Sequence, residues 1–247
     1  MEFRNKTILI LGGNSDVGKS LAKDFGRLGL NLILTSRKEG QLDSFKSDLE
    51  IRNEINCDVQ LFDVLDFNSH QLFYNNLKSK PDIVISCIGY LDNQEDSQND
   101  FEETLKSIQT NFTGLVSILN IISNDFEKRK EGVIIGISSV AGDRGRGSNY
   151  IYGSSKSGFT SYLSGLRNRL NKSGVKVITI KPGFIKTKMT NHLDLPKVLT
   201  ASSDDISKDI INSINRDKNI IYTKWFWKWI MLIIRITPES FFKKLNF

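Results

Sequence analysis

The sequence predicts a single-domain, doubly wound α/β sheet, and three observations carry that prediction. Short apolar runs of strand length alternate with segments of helical periodicity along most of the 247 residues. The first run, Thr7-Ile8-Leu9-Ile10-Leu11, is continuous rather than alternating, as a strand buried on both faces of a parallel sheet requires. A glycine-rich turn, Gly12-Gly13-Asn14-Ser15-Asp16-Val17-Gly18, follows it at once and opens a helix.

From that start the elements follow in order. Helical spacing over 17–28 and a strand at 31–35 complete a βαβ unit of about thirty residues. Later strands are expected at 59–62, Ile83–Ser86, 133–138, 175–181 and 219–222. Helices are expected near 40–53, 69–78, 101–128, 152–172 and 203–215. After the last strand comes the sharpest shift in composition, a tryptophan-rich basic tail.

Composition narrows the chemistry. Hydrophobic content of 39% and charged content of 25% are ordinary for a globular chain and argue against disorder. Cys57 and Cys87 have neither the number nor the spacing of a disulfide framework or zinc site, which fits a reducing cytosol. His70 and His192, the only histidines, are far apart and lack companion ligands, so no metal site is expected. The net charge of +6 is dispersed and no nucleic-acid motif accompanies it, so nucleic acid is not an expected partner. The charged start, Met1 to Lys6, runs straight into the first strand with no apolar signal region.

The glycine turn sits where backbone N–H groups and a helix dipole hold a pyrophosphate. Gly12, Asn14, Ser15, Asp16, Val17 and Gly18 are therefore cofactor-binding candidates. Asp16 stands where a third glycine would complete G-x-x-x-G-x-G; it places a carboxylate near the phosphates or caps the helix. Tight packing alone is the alternative reading of the turn. After the second strand no acid is present to grip a ribose 2′-hydroxyl, and Arg37 is placed to pair a 2′-phosphate. NADP(H) is favoured on that ground, with NAD(H) as the alternative, and a solvated Arg37-Lys38 turn is the competing explanation. Asp63 and Val64 follow the third strand and are candidates for the adenine edge, although Asp63 also suits a surface cap.

The chemistry-bearing set is Ser139 and Tyr152-Gly153-Ser154-Ser155-Lys156, the serine thirteen residues before the tyrosine. A phenol with an ordinary pKa near 10 is a poor acid/base at neutral pH without help from its surroundings. Lys156 lies at i+4 on the same helix face and supplies a cation. Tyr152 is then a general acid/base, with Ser139 reaching the same substrate oxygen from a strand end.

These residues, in this order, resemble the short-chain dehydrogenase/reductase family over nearly all of residues 6–223. The resemblance implies a Rossmann-type fold and a catalytic set of Asn111, Ser139, Tyr152 and Lys156, with Asn111 in Asn111-Phe112-Thr113-Gly114 holding a water. It implies that Lys156 contacts the nicotinamide ribose and lowers the tyrosine pKa. It also implies cofactor contacts from Gly89, in the altered stretch Ser86-Cys87-Ile88-Gly89, and from Pro182, Gly183 and Thr187. Residues 1–223 are thus read as a dinucleotide-binding catalytic domain and 224–247 as a C-terminal amphipathic extension.

The tail holds all three tryptophans in Trp225-Phe226-Trp227-Lys228-Trp229 and then Ile230 to Arg235, too short and too charged to span a bilayer. It is read as an interfacial helix on an anionic membrane surface, with packing on the protein or on a second copy as the alternative. Arg144 and Arg146 fall in the loop between Ser139 and Tyr152 and are expected to bind an anionic substrate, unless the loop is merely solvated. Those stretches and the ending after Ile233 are similar to the reductase subunits of decaprenylphosphoryl-ribose 2′-epimerase. That similarity implies a lipid-linked phosphosugar substrate, a polyprenyl-phosphate 2-keto-pentofuranose reduced to its arabinose epimer for cell-envelope glycans, and a flavin oxidase partner. A homo-oligomer in the cytoplasm, peripheral at the inner face of the membrane, is the matching expectation. A 3-oxoacyl or other hydrophobic-ketone reductase and a non-catalytic dinucleotide sensor are the alternatives.

Overall fold

The computed structural model describes residues 3–191, 193–216 and 218–245, so the expectations for His192 and for the first two and last two residues lie outside it. In chain order the elements are β1 (Thr7–Leu11), α1 (Asp16–Arg27), β2 (Asn31–Ser36), α2 (Asp43–Asn53), β3 (Cys57–Leu61) and α3 (His70–Asn75). They continue with β4 (Ile83–Ser86), α4 (Gln94–Asn99), α5 (Phe101–Ile108), α6 (Gly114–Arg129), β5 (Val133–Ile137) and α7 (Tyr150–Leu170). The last third holds β6 (Lys176–Pro182), β7 (Phe184–Ile185), β8 (Thr200–Ala201), α8 (Ser203–Asn215), β9 (Ile220–Thr223), α9 (Trp227–Ile236) and α10 (Glu239–Phe242).

Seven strands form one parallel sheet in the order β3-β2-β1-β4-β5-β6-β9. The doubly wound α/β fold is the one expected, and it is a single-domain Rossmann-type sheet. Alternation along each strand sends side chains to opposite faces, and β1 shows it clearly. Ile8 and Ile10 enter the core shared with Leu21, Phe25, Ile206 and Ile210 of α1 and α8. Leu9 and Leu11 enter the opposite core, with Ile118 and Ile122 of α6 and Phe159 and Leu163 of α7. Because both faces are covered, β1 shows no polar alternation, as the continuous run predicted. Strand order reverses between β1 and β4, and ligands of such sheets bind beyond the carboxyl ends at that switch.

Two local features differ from expectation. The helix expected over 101–128 is broken into α5, a π-helical turn at Gln109–Thr113, and α6. A Cβ on Gly114 would lie 2.3 Å from the Val64 carbonyl oxygen, so only glycine lets α6 start this close to the end of the third strand. The short helix α4 was not expected, since its six residues are polar throughout; Asn93 caps it by accepting from the N–H groups of Glu95 and Asp96. Finally, one side of α9 packs on the domain, the alternative kept open for the tail. Trp227 and Met231 are buried with Val140, and Phe184, Leu199, Phe226, Ile230 and Ile234 pack against them. Among the described residues no helix is long and apolar enough to cross a membrane.

Candidate active site

The glycine turn is built by close approach. Gly12 has φ +86°, and a Cβ there would press on the backbone of Cys87 and Ile88 at 3.2 Å; a Cβ on Gly18 would sit 2.4 Å from the Gly12 carbonyl oxygen. Ser15 is the N-cap of α1: its Oγ accepts from the Gly18 N–H at 3.0 Å and donates to the Gly12 carbonyl at 2.8 Å. The capping role allowed for Asp16 is therefore taken by Ser15. Asp16 Oδ2 instead accepts from the Lys188 N–H at 2.7 Å, tying the turn to the segment after Thr187. Val17 is buried beneath the turn.

The outer corner of this cleft is polar. Ser36 ends β2 and Arg37 follows it, exposed. Gln41, which no motif singles out, bridges the corner by accepting from Asn14 Nδ2 at 3.1 Å and from Ser36 Oγ at 2.9 Å. Asp63 is exposed, and its Oδ1 accepts from the Leu65 N–H at 3.0 Å, the surface cap foreseen as its alternative role.

Toward the chemistry, Ser139 leaves β5 in extended backbone and its Oγ accepts from the Ala141 N–H at 3.1 Å. The Ser139 side chain lies beside the Tyr152 phenol and favours its phenolate. Burial acts in the opposite sense and more strongly, with a smaller contribution of the same sign from the Asp92 carboxylate, and the phenol is pushed up to about 12. Lys156 lies on the same face of α7, 3% exposed, its Nζ 5.7 Å from the Tyr152 ring centroid. Burial lowers its pKa to about 8. Burial, not Lys156, sets the sign of the tyrosine shift in the protein alone, and the phenol stays protonated at neutral pH.

Asn111, fully buried in the π turn, spends its amide on the protein. Nδ2 donates to the carbonyls of Tyr90 at 2.7 Å and Ser107 at 2.9 Å, while Oδ1 accepts from the Tyr90 N–H at 3.0 Å. A second lone pair on Oδ1 remains for a water. Gly89 faces this group: a Cβ there would lie 3.5 Å from both Asn111 Oδ1 and Lys156 Nζ.

The loop after Ser139 is pinned by a set that sequence reading missed. Asp143 and Lys181 form a nearly dry ion pair, with side chains 2% and 8% exposed, and Tyr222 donates to the other Asp143 oxygen at 2.7 Å. No spacing rule joins residues 143, 181 and 222; only the order of β6 and β9 brings them together. At the start of α7, Gln94 Oε1 accepts from the Ile151 N–H at 3.2 Å, filling one of the donors a helix start leaves open.

The two substrate arginines separate. Arg144 is not available to a substrate phosphate: its guanidinium donates to the carbonyls of Ile234 and Thr237, pairs Glu239 at 2.8 Å and stacks 3.7 Å over Phe242. It closes the C-terminal end of α9, where carbonyls lack helical partners. Arg146 is half-buried, its Nε lacks a hydrogen-bond partner among the described residues, and burial lowers its pKa. Gly183 is occupied as well, since a Cβ on it would sit 2.0 Å from the Trp227 indole. Beyond it, Thr187 caps a short turn with Thr190, and Pro182 ends β6.

These residues fit a dinucleotide. The glycines form a cradle no side chain may enter, and among the described residues the buried Lys156 ammonium, with three donors, has only a 3.4 Å bond to the Ile137 carbonyl. Among the described residues no cluster of ligands suits a metal ion.

Comparison with known proteins agrees. The family profile described as short chain dehydrogenase matches residues 6–197. Similar sequences include an uncharacterized oxidoreductase of Mycobacterium tuberculosis, 24% identical over 241 residues and 96% of each chain. Another, from Streptomyces coelicolor, is 26% identical over 245 residues, 97% of this chain and 96% of the relative. Among solved structures, a short-chain dehydrogenase from Sphingobium yanoikuyae in complex with NADPH superposes with a TM-score of 0.82 at 22% identity, covering 92% of each chain. One from Burkholderia cenocepacia in complex with NADP gives 0.84 at 16% identity over 99% of each.

Proposed function

Because the chain belongs to the short-chain dehydrogenase family and is therefore an NAD(P)-dependent oxidoreductase, we propose that it works as a carbonyl reductase using NADP(H). The observation that carries this reading is the placement of Tyr152 beside Ser139 and the buried Lys156 at the carboxyl ends of the strands. A nicotinamide, when bound, supplies the hydride that the carbonyl carbon receives. Ser139 Oγ holds the carbonyl oxygen, and the protonated Tyr152 phenol gives that oxygen its proton. Solvent then returns a proton to the phenolate. Lys156 would contact the nicotinamide ribose and Asn111 would hold a water, with Gly12 to Gly18 lining the pyrophosphate and Arg37 the 2′-phosphate.

NADP(H) is supported by the absence of an acid at Ser36, by the exposed Arg37, and by the cofactors bound in the two related structures. Calorimetry should give tighter binding of NADPH than NADH, and Arg37→Ala should erase the difference; a preference of the natural chain for NADH would overturn the assignment.

For the substrate we favour a keto-sugar carried on a polyprenyl phosphate, its keto group supplied by a partner flavin oxidase. The apolar α9 packed beside Val140, next to Ser139, supports a lipid-borne substrate, and Arg146 is the remaining candidate for its phosphate. The commitment of Arg144 to α9 favours a second reading, a reductase of uncharged hydrophobic ketones or 3-oxoacyl groups. NADPH oxidation with a polyprenyl-phospho-2-keto-pentofuranose and with a 3-oxoacyl thioester separates the two, since faster turnover of the thioester would remove the sugar reading.

A further inference from the structure

Helix α9 carries two apolar stripes, and the domain uses only one. Trp227, Ile230, Met231 and Ile234, at i, i+3, i+4 and i+7, face the protein. Trp229, Leu232, Ile233 and Ile236 repeat the same spacing on the opposite side and are 54%, 45%, 64% and 70% exposed. Trp225, at 73%, and Phe241, at 66%, extend the apolar area beyond both ends of the helix. A helix apolar on both sides is expected to be covered on both, and a patch of this kind marks an interaction surface.

We propose that this outer face of α9 lies on an anionic lipid bilayer. Charge decides the occupant. Residues 224–245 hold Lys224, Lys228, Arg235, Lys243 and Lys244 against a single acid, Glu239, which already pairs with Arg144. In a symmetric pairing of two copies the same patch meets itself, so this basic rim would face a basic rim with no free carboxylate between. An anionic headgroup layer answers the same charges, and the exposed indoles of Trp225 and Trp229 suit the headgroup level.

The surface is joined to the catalytic end at three places. Trp227 Nε1 donates to the Leu199 carbonyl at 3.1 Å, the Trp227 ring covers Gly183, and Arg144 grips the far end of the helix from the loop that begins at Ser139. A bilayer under the outer face of α9 is thus separated from the segments that border the site by this one helix. This deepens the lipid-borne substrate reading and rests on it for its purpose, but vesicle binding is measured without turnover, so the two fail separately.

The test is flotation of the full chain with vesicles of phosphatidylcholine alone or mixed with phosphatidylglycerol. The comparison variant is Trp229→Gln/Ile233→Gln/Ile236→Gln, whose side chains are outside the core; its circular dichroism and its NADPH-dependent reduction of a water-soluble ketone should match the natural chain. Binding is expected only with phosphatidylglycerol, weakened at roughly 0.5 M salt, and reduced at least about tenfold in the variant. A natural chain that stays with the supernatant, a variant that floats equally well, or a dimer in sedimentation that the variant splits while vesicles bind neither protein would each overturn the proposal.

Discussion

At the residue scale, the proton chemistry is set by burial. Tyr152 and Lys156 are both forced toward their neutral forms, the phenol to about 12 and the ammonium to about 8. Tyr152→Phe removes the proton and little volume, so turnover should fall by roughly 10²-fold or more while cofactor titration is preserved; turnover within about twofold of the natural enzyme would end the tyrosine mechanism. Lys156 yields a second prediction with opposite signs for stability and function. A lysine whose folded pKa lies below its unfolded one binds fewer protons folded than unfolded between the two values, so it destabilises the fold at neutral pH and ceases to do so as pH rises from about 8 through the ordinary lysine value. Lys156→Met should therefore raise the thermal midpoint of the cofactor-free protein at pH 7, with the gain shrinking above pH 8, while turnover is lost. A lower midpoint at pH 7 would show that the buried ammonium is better paired than its long bond to Ile137 indicates.

At the scale of elements, the catalytic loop and the tail hold each other. Breaking a buried ion pair from one side typically costs about 3–5 kcal/mol, because the remaining charge stays buried. Lys181→Met should destabilise the chain by that order, and adding Asp143→Asn should recover part of it; chemical denaturation of the single and double variants reads the difference. Gly183→Ala is a sharper probe of α9, since its methyl group would occupy the position of the Trp227 ring. We expect a loss of about 1–3 kcal/mol from overpacking and a changed near-ultraviolet tryptophan signal. An unchanged signal would mean that the indole does not cover this glycine in solution.

At the scale of the whole molecule, the tail belongs to the core on one side and to the surroundings on the other. Removing residues after Thr223 would take away Trp227 and Met231 and uncover Val140, Phe184 and Leu199. Such a chain should bind hydrophobic dyes and unfold roughly ten degrees lower, taking about 3–5 kcal/mol for the lost burial and the usual conversion for this size. Truncation therefore cannot report on vesicle binding, whereas outward substitutions on α9 can. A truncated chain that melts with the natural one would place α9 outside the core.

The sequence by itself determined the parallel sheet, the glycine turn and the presence of Ser139, Tyr152 and Lys156 at one edge of the sheet, because these depend on short-range periodicity and fixed local spacing. The break in the long helix at Asn111 was not legible, since the constraint that widens it comes from Tyr90 and Val64 in other segments. Only the tertiary structure decided which cations are free. Arg144 and Arg146 look alike two residues apart, yet one is consumed by helix carbonyls about ninety residues later and the other keeps an Nε unpartnered among the described residues. The same holds for the tail: composition announced an amphipathic helix, but which stripe the core takes and which it leaves outward depends on the packing of Val140, Phe184 and Leu199, and no local rule encodes a contact made across so many residues.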